Sequence, residues 1–592
     1  MAEKVRILTA RPHRLLAPLI EELGRLNRQE KSVVLLVPEQ LTLQTEREIF
    51  RQLQLEGTFY IDILSPSRLY ERVLESGGRD QREPLNSAGR RMAVSLALER
   101  LEDKLGYYEA MSLRTGFVEK TAALITDLKR GGMSPEMLAE YAKQLPAGIS
   151  REKLGDLALI YAQYEEVLRA RFSDSEDQLR YVAGRLEDSG FLREKYVYVY
   201  GFDTLPDQMM RLLTAAAPLC ENLSVALLWE HEDAADGELF LPIRQGVGRF
   251  TEMLREAGMD TEFVPYPRKE LNAPEAIRCL ERGLFTLRPR AMEGTQNSVF
   301  LSSGLSPYEE ATLMTRQVLR LLAGGMDIEK IAVLYPDDGG YAFAVSAALR
   351  DSGIPFYTDE KLSALSHGLP RYLLCALKAA AGGWQNRDVL GMAKSGYSPL
   401  TFEESCELEN YAFTCGINRA RWLAPFTRGE EGLRERCEGY RQRLMEPVLW
   451  MREGLVQARD AAASMTAVFG LLKDVGAYER LQREETELLE KGLAVRAGQN
   501  SQVWQTTLTL MDQMVRLSDR QRIPLKHIAT RMECGFSAIS LAALPPAGKM
   551  LHVGVLGHAL SENMEAVFLL GLNDGVLTRE TQSLLSPEER QD

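Results

Sequence analysis

The chain has 592 residues, more than a single hydrophobic core usually organises, so its length predicts several domains. Its residues are 45% hydrophobic and 26% charged, a balance that excludes an intrinsically disordered protein. The formal net charge of −13 argues against a protein that coats DNA with its whole surface, but it is compatible with a local basic channel for a single strand.

Short apolar runs alternate with helical patterns in the N-terminal part of the chain. Strands are predicted at residues 5–10, 32–37 and 59–64, and helices at residues 12–26 and 41–53. Each run ends at a turn residue, and such an alternation is typical of a parallel sheet with helices on its faces. The sequence therefore begins with an α/β domain.

From about residue 69 to residue 195 the pattern is helical and predicts no strand. The helical stretches cover residues 87–101, 114–129 and 155–172. Strand signals return at residues 196–200 and 223–229, on either side of a predicted helix at residues 208–217. The simplest interpretation is one α/β domain that is interrupted by a helical insertion and completed by the later strands.

The second half of the chain repeats this plan. Strands are predicted at residues 298–303, 331–335, 354–358, 551–556 and 566–570, helices at residues 307–323 and 340–351, and a helical block at residues 369–519. We therefore predict an α/β protein with two parallel-sheet domains that face each other across a cleft. The predicted domains are residues 1–70 with 195–290, around the insertion 71–194, and residues 296–368 with 520–592, around the insertion 369–519.

The sequence lacks the loop with which a motor protein binds ATP. Such a loop follows the first strand and needs glycines that close around the phosphates and a lysine that neutralises them. Residues 9–14 read TARPHR, with neither glycine nor lysine, and the Gly548-Lys549 pair lacks the early glycine of the motif. Arg11 and Arg14 could bind a phosphate, but solvated surface is the interpretation that we favour for both.

Polar side chains follow several predicted strands, at the edge where open α/β sheets bind ligands. Gln40 and Thr42 can each donate and accept hydrogen bonds, which suits base edges, although a helix start facing water explains them equally well. Arg68 could contact a phosphate or a base. Asp203 lies in a candidate contact loop, without the second carboxylate that an ATPase uses to hold magnesium. Asn573 precedes an Asp-Gly turn whose chemistry does not explain the asparagine.

Seven cysteines are scattered without a CxxC pair, which favours reduced thiols over disulfides or a zinc site. The nearest approach to a group is Cys406, Cys415 and Cys437, and its spacing matches no usual set of ligands. The first residues carry charges and lack the cleavage site of a signal peptide, and no apolar run reaches membrane-spanning length. We therefore expect a cytoplasmic protein.

Several blocks of sequence resemble those of a known family. They are LLVPEQLTLQTE, SPSRLYERV, YVYVYGFDTLPDQ, SPYEEATLMTRQVLRL, IAVLYPDD, SGIPFYTDEK, LENYAFTCGI and VFLLGLNDGVL. Their order and spacing are similar to those of the B subunit of the bacterial AddAB/RexAB helicase/deoxyribonuclease. The blocks extend from about residue 33 to residue 577, so the resemblance covers nearly the whole chain.

This resemblance implies a superfamily-1 helicase architecture, with two RecA-like domains that each carry a helical insertion and a degenerate nucleotide site in the first. It also implies a heterodimer with an ATP-driven A subunit that acts on single strands and duplex ends in the recombinational repair of double-strand breaks. Some family members keep a Walker A loop in the B subunit, and this chain resembles those that do not. The stretch HALSENME, which begins at His558, lacks the Lys-Gly pair of active helicases.

In this family the B subunit scans single-stranded DNA for a recombination hotspot sequence. By resemblance, the residues that fall at positions associated with this scanning are Gln40, Thr42, Arg68, Phe202 and Asn573. Where family members have aromatic residues beside the arginine, this sequence has Pro66 and Glu71, which argues against base stacking there.

The family's nuclease domain and its iron–sulfur cysteines lie in a later portion of the family's chain, so we interpret this sequence as the front portion. No catalytic residue, metal ligand or cofactor is expected in it, because the iron–sulfur cluster and magnesium belong to that later portion. Two alternatives stay open. One is an active ATPase or helicase with an unusual nucleotide site, and the other is a structural scaffold for the motor subunit.

Overall fold

The structure is a computed structural model. It describes residues 4–11, 14–77, 82–112, 114–169, 171–229, 240–266, 272–284, 286, 291–294, 297–336, 340–358, 362–518, 521–541, 548–557, 564–576 and 583–591.

The strands and helices fall into two stretches of chain. Those of the first stretch are β1 (Lys4–Ala10), α1 (Leu16–Arg28), β2 (Val33–Leu36), α2 (Thr42–Leu53), β3 (Ile61–Leu64), α3 (Pro66–Gly77), β4 (Glu83–Leu85), α4 (Ser87–Arg100), α5 (Thr115–Arg130), α6 (Pro135–Gln144), α7 (Ile149–Leu168), β5 (Phe172–Asp174), α8 (Ser175–Ala183), α9 (Leu186–Ser189), β6 (Tyr196–Val199), α10 (Asp207–Ala216), β7 (Asn222–Leu228), α11 (Leu241–Glu256), β8 (Asp260–Pro265) and α12 (Glu275–Gly283). Those of the second are α13 (Pro307–Ala323), β9 (Ile331–Tyr335), α14 (Gly340–Asp351), β10 (Phe356–Thr358), β11 (Leu362–Ser363), α15 (Gly368–Gly382), α16 (Asn386–Ala393), α17 (Phe402–Cys415), α18 (Glu431–Gln457), α19 (Ala461–Asp474), α20 (Ala477–Glu490), α21 (Ala494–Leu517), α22 (Leu525–Ser537), β12 (Ser540–Leu541), β13 (Leu551–Val555), β14 (Ala566–Leu569) and α23 (Pro587–Gln591).

The first sheet has six parallel strands in the order β3-β2-β6-β7-β1-β8. It combines strands from before and after the predicted insertion. The four central strands are nearly continuous apolar runs, as expected for a parallel sheet that is covered on both faces. Helices α1 and α2 cover one face, and α3, α10 and α11 cover the other. The edge strand β8 was not predicted.

Strands β2 and β6 are neighbours whose connections leave in opposite directions. From β2 the chain crosses one face through α2 to β3, whereas from β6 it crosses the other face through α10 to β7. Such a reversal opens a crevice outside the carboxyl ends of the two strands, where open α/β sheets bind their ligands.

The second sheet has four parallel strands in the order β10-β13-β9-β14. Helices α13 and α14 pack on one of its faces, around Val333 and Val553. Residues 298–303 were predicted as a strand, and this prediction is wrong. They run outside both sheets and pair with no described strand, and Phe300 and Leu301 are largely exposed.

The two helical blocks share one hydrophobic core instead of forming two separate arms. That core includes apolar residues of α4, α5 and α7 from the first block and of α15 and α21 from the second, which continues past the predicted limit at residue 519 to include α22. The prediction that residues 69–195 contain no strand is wrong, because β4 and β5 form a short parallel pair. A second small pair, β11 with β12, is antiparallel.

A buried ion pair joins the two helical blocks. The Nε of Arg531 on α22 donates to Oε1 of Glu99 on α4 at 2.8 Å, and both side chains are almost fully buried. His527 Nδ1 lies 2.8 Å from Glu99 Oε2. Burial alone would raise the pKa of Glu99, but its bonds with Arg531 and His527 outweigh that effect and lower the pKa below its ordinary value.

A buried lysine connects the first helical block to α10. Lys129 Nζ lies 2.6 Å from Glu165 Oε1, 2.9 Å from Asp177 Oδ2 and 3.5 Å from Asp174 Oδ2. Its backbone carbonyl accepts a 2.6 Å hydrogen bond from Gln208 Nε2. Burial disfavours the charge on the lysine, but the three carboxylates outweigh burial and raise the pKa of Lys129.

Candidate nucleic-acid interface

Three loops meet at the carboxyl edge of the first sheet, outside β3, β2 and β6. The last residues of these strands, Leu64, Leu36 and Val199, pair side by side in register. The loop after each strand therefore leaves from the same line. Gln40 and Thr42 lie in the loop after β2 and at the start of α2, Arg68 lies just after β3, and Phe202 lies just after β6. Four of the five predicted residues thus lie in neighbouring loops along the carboxyl edge of β3, β2 and β6.

The two polar residues after β2 differ in how much of each side chain is available. Gln40 lies in a short 3-10 turn and is exposed, and its amide makes no hydrogen bond to the described residues. Thr42 is buried, and its hydroxyl lies within hydrogen-bond distance of the carbonyl oxygens of Pro38, at 3.3 Å, and Glu39, at 3.2 Å. Gln40 can therefore reach a ligand directly, whereas Thr42 stabilises the turn that presents Gln40.

Arg68 is an exposed cation at the start of a helix. It lies in the first turn of α3, and in the described part of the chain its guanidinium has no ion-pair partner. A positive side chain at this position is unfavourable for the helix dipole, so helix stability does not explain it. A phosphate bound here would interact favourably with both the guanidinium and the helix N-terminus.

Glu39 joins the loop after β2 to the loop after β3. Its Oε1 accepts a hydrogen bond from the backbone N–H of Ser67 at 3.2 Å and another from the Ser67 hydroxyl. The carboxylate thereby satisfies the N-terminus of α3 and holds Gln40 and Arg68 in a fixed relation. Sequence reasoning passed over Glu39, because the serine that it binds lies 28 positions further along the chain and no local pattern connects the two residues.

Gly201 places the loop after β6 directly against the loop after β2. Its φ is +82°, and a Cβ at this position would lie 2.6 Å from Leu41 Cδ1 and 3.4 Å from Pro38 Cδ. The next residue, Phe202, is half-buried and packs against the core of the first sheet. Only glycine combines this backbone conformation with so close an approach, so Gly201 is what brings the loop that carries Phe202 against the loop that carries Gln40.

Gly201→Ala is expected to destabilise the chain by about 1–3 kcal/mol, because alanine is strained at positive φ and its methyl group collides with Leu41. Gly258→Ala is the matched control, since Gly258 has a φ of +75° but nothing within 4 Å of an added Cβ. Urea denaturation of both variants isolates the steric part of the loss. Equal losses would contradict the close contact at Gly201.

Asn573 lies at the carboxyl edge of the second sheet, apart from the other four residues. Its Nδ2 donates to the Tyr341 hydroxyl at 3.2 Å, and that hydroxyl donates to Glu310 Oε1 at 3.0 Å. The other oxygen of Glu310 accepts the N–H of Gly571 at 3.1 Å. Asn573 is exposed, and this chain of hydrogen bonds fixes the direction in which its amide points.

The position after β1, where a motor would bind phosphate, is filled by part of the chain itself. Arg14 Nη2 donates to both carboxylate oxygens of Glu281 on α12, at 2.9 and 3.0 Å. Arg11 Nη1 donates to the backbone carbonyl of the same residue at 2.8 Å. The interpretation of Arg11 and Arg14 as solvated surface is therefore wrong, because both side chains are buried against α12.

The other two nucleotide-site candidates differ in what the structure describes. Lys549, of the Gly548-Lys549 pair, forms a 2.7 Å ion pair with Asp327 at the surface, so it does not approach the end of β1. His558 and most of its stretch lie outside the described residues. The missing Lys-Gly pair therefore stays an inference from the sequence.

Comparison with known proteins identifies the family. Residues 12–281 match the family model described as "ADDB, N-terminal". Proteins named as the B subunit of an ATP-dependent helicase/deoxyribonuclease match over nearly the whole chain.

Residues 12–281 carry the N-terminal domain of the AddB family. The match with the relative from Alkaliphilus oremlandii is 26% identical over 581 residues, 94% of this chain and 51% of the relative. The relative from Heliobacterium modesticaldum is 28% identical, with 93% of this chain and 48% of the relative covered. The chain thus spans about half the length of the curated relatives that it matches.

The cysteines of the chain do not assemble a ligand set. All seven are free, and no three His, Cys, Asp or Glu side chains within the described ranges come together as a group that could hold a metal ion. Burial raises the pKa of the Cys534 thiol to about 12, which leaves that thiol unreactive at neutral pH. The residues present therefore do not fit an iron–sulfur cluster. Of the helices described, none is both long and apolar enough to cross a membrane.

Proposed function

We propose that this chain is a DNA-binding, helicase-like part of the B subunit of an ATP-dependent helicase/deoxyribonuclease. The proposed complex processes double-strand DNA ends for recombinational repair, and in it the B subunit forms a heterodimer with an ATP-driven A subunit. The name of the relatives supports this assignment. The two parallel sheets, whose strands come from before and after a helical block, support two RecA-like domains of the superfamily-1 plan.

Within that complex we infer that the crevice between β2 and β6 contacts single-stranded DNA and scans it for a hotspot sequence. The observation that carries this inference is that Gln40, Arg68 and Phe202 lie in neighbouring loops at the carboxyl edge of the sheet, beside its switch point. An exposed amide can read a base edge, a free guanidinium can neutralise a phosphate, and an aromatic ring can contact a base. The overall charge of −13 is no obstacle, because the proposed contact is local.

Asn573 would serve the same strand where it passes the second sheet. Its amide is exposed and its orientation is fixed by Tyr341 and Glu310, as a base-reading side chain requires. Thr42 takes a supporting part in this proposal, because its hydroxyl is bonded within the turn.

We further propose that the chain does not hydrolyse ATP. The loop after β1 has neither the glycines nor the lysine of a phosphate-binding loop, and Glu281 fills the space beside Arg11 and Arg14. Equilibrium binding of ATP tests this proposal. Magnesium-dependent binding with micromolar affinity would favour the active-motor alternative instead.

Arg68→Ala is expected to weaken single-strand binding by the complex for every DNA sequence and to reduce the slope of log affinity against log salt by about 1, as the loss of one phosphate contact should. The matched control is Arg72→Ala, which removes the same charge one turn further along α3, where Arg72 pairs with Glu75. Fluorescence anisotropy across a salt series measures both slopes. Equal slopes for the two variants would contradict a phosphate contact at Arg68.

Gln40→Ala is expected to cost about 1–3 kcal/mol of binding free energy on the preferred sequence and little on others, because an amide that reads a base discriminates between bases. Gln52→Ala is the control, since Gln52 is exposed at the far end of the helix that follows Gln40. If Gln40→Ala and Arg68→Ala both left affinity and preference unchanged while assembly with the A subunit stayed normal, the scaffold alternative would be the better account.

A further inference from the structure

The contact between Arg14 and Glu281 has the chemistry of an occupied anion site. The two residues are 267 positions apart in the sequence, and the arginine holds both oxygens of the carboxylate. A second cation, Arg11, bonds the backbone of the same residue. Side-chain exposure is 12% for Arg14 and 22% for Glu281, so the pair is screened little by solvent.

The carboxylate leaves part of this site unsatisfied. Both of its hydrogen bonds come from a single nitrogen, Nη2 of Arg14. The Nε of Arg14 is buried and has no hydrogen-bond partner among the described residues. A carboxylate has two oxygens in one plane, whereas a phosphate monoester has three charged or partly charged oxygens arranged tetrahedrally, so a phosphate could also accept the bond from Nε.

The element that carries Glu281 buries little apolar surface. Helix α12 has nine residues, and Ala276 is its buried residue among those described. Leu280 and the following Leu284 are both about half exposed. Polar contacts, the ion pair with Arg14 among them, therefore contribute to keeping α12 against the end of β1.

We propose that Arg11 and Arg14 form a binding site for a phosphate monoester, closed in this structure by Glu281 as an internal anion. The site lies at the carboxyl end of β1, an edge of a parallel sheet where anionic ligands are commonly bound. Displacement of Glu281 by phosphate would release α12 from the end of β1. This proposal is independent of DNA reading at the crevice between β2 and β6, because its test measures the binding of phosphate and not of DNA.

The test is calorimetric titration of the 592-residue chain with inorganic phosphate. Glu281→Gln keeps the shape of the side chain but removes its charge, which takes the carboxylate partner away from the buried guanidinium of Arg14. We expect Glu281→Gln to bind phosphate at least about ten-fold more tightly than the unmodified chain, since charge-assisted bonds to a buried arginine are strong. The double variant Glu281→Gln with Arg14→Met is expected to lose this gain.

Glu275→Gln is the matched control, because Glu275 lies on the same helix but pairs with Arg278 near the surface. It should leave phosphate affinity unchanged. A parallel titration with ATP, without magnesium, distinguishes free phosphate from the terminal phosphate of a nucleotide. If Glu281→Gln binds both probes more tightly, the site admits the phosphate end of a nucleotide. If it binds only phosphate more tightly, the site does not. Either pattern supports a phosphate-monoester site.

Two results would overturn the proposal. One is a folded Glu281→Gln chain with no gain in phosphate affinity, and the other is a gain that persists when Arg14 is also replaced. If Glu281→Gln does not fold, hydrogen exchange of the unmodified chain decides instead. Phosphate should then accelerate amide exchange in α12 relative to sodium chloride at the same ionic strength, and identical exchange in the two salts would refute a displaceable Glu281.

Discussion

Arg531→Met is expected to lower the free energy of unfolding by about 3–5 kcal/mol, because it leaves the buried carboxylate of Glu99 without its main counter-charge. The stability that is lost is that of the core shared by the two helical blocks. Arg531 also donates to the Ser518 hydroxyl at 3.0 Å, so its removal leaves a second buried polar group with one bond fewer. Urea denaturation followed by circular dichroism measures the change.

The control for this prediction is Arg516→Met. Arg516 also joins the two helical blocks, through Glu83, but both of those side chains are nearly half exposed. Exposed pairs contribute little, so we expect a loss below about 1 kcal/mol. Adding Glu99→Gln to Arg531→Met should recover part of the stability by removing the stranded charge. If Arg531→Met were no more harmful than Arg516→Met, the buried pair would not join the blocks as described.

The same ion pair makes stability depend on pH on the acid side. Because the pKa of Glu99 is lower in the folded chain than its ordinary value of 4.5, the unfolded chain takes up the proton first as the pH falls. The contribution of Glu99 is therefore complete above that ordinary value and is lost as the pH falls through the lowered pKa. Glu99→Gln should remove this part of the acid dependence.

Several boundaries of helices and strands were predictable from the sequence because residues that commonly end such elements mark them. The predicted limits of α13, β9 and α14 agree with the structure, and each element is bounded by proline, glycine or charged residues. The edge strand β8 was missed because its sequence, DTEFVP, mixes polar and apolar residues and lacks a buried run. Residues 298–303 have a strand-like composition, but composition does not specify a pairing partner.

Contacts between distant parts of the chain could not be predicted. Glu99 meets Arg531 across 432 positions and Arg14 meets Glu281 across 267, and neither pair leaves a periodic signal in the sequence. The common core of the two helical blocks escaped prediction for the same reason. Local patterns specify which face of a helix is apolar, but not which other helix covers that face.

The candidate site was predictable in part. Strand ends and residue types indicated Gln40 and Arg68, and the parallel sheet brings them together. The sequence could not show that Thr42 is buried, because a threonine at a helix start serves equally well as a ligand contact or as a turn stabiliser. Whether the crevice reads DNA, and where the domain boundaries fall, stay predictions.

Lys129→Met is the second variant with a large expected effect, a loss of about 3–5 kcal/mol in the free energy of unfolding. The substitution leaves three carboxylates close together, and the two remaining cations, Arg90 at 2.7 Å from Asp174 and Arg180 at 2.8 Å from Asp177, cannot neutralise all three. The loss should depend on pH. Burial alone would raise the pKa of Asp174, but Lys129 and Arg90 outweigh burial and lower it. Without the lysine these carboxylates protonate more readily, so the variant is penalised less as the pH falls.

Denaturation at pH 7 and at pH 5 therefore tests the ion-pair network of Lys129. Lys143→Met is the control, because Lys143 is an exposed residue that pairs with Glu140 on α6. The difference between the Lys129 variant and the unmodified chain should shrink at pH 5, whereas the control should show almost no difference at either pH. A difference in stability that is independent of pH would mean that packing, and not charge, accounts for the role of Lys129.

The effect also extends toward the candidate site, because the Lys129 carbonyl is bonded to Gln208 at the start of α10, the helix that follows the loop of Phe202. Loosening this contact should weaken single-strand binding for all sequences alike, since it shifts a loop without removing a base-reading group.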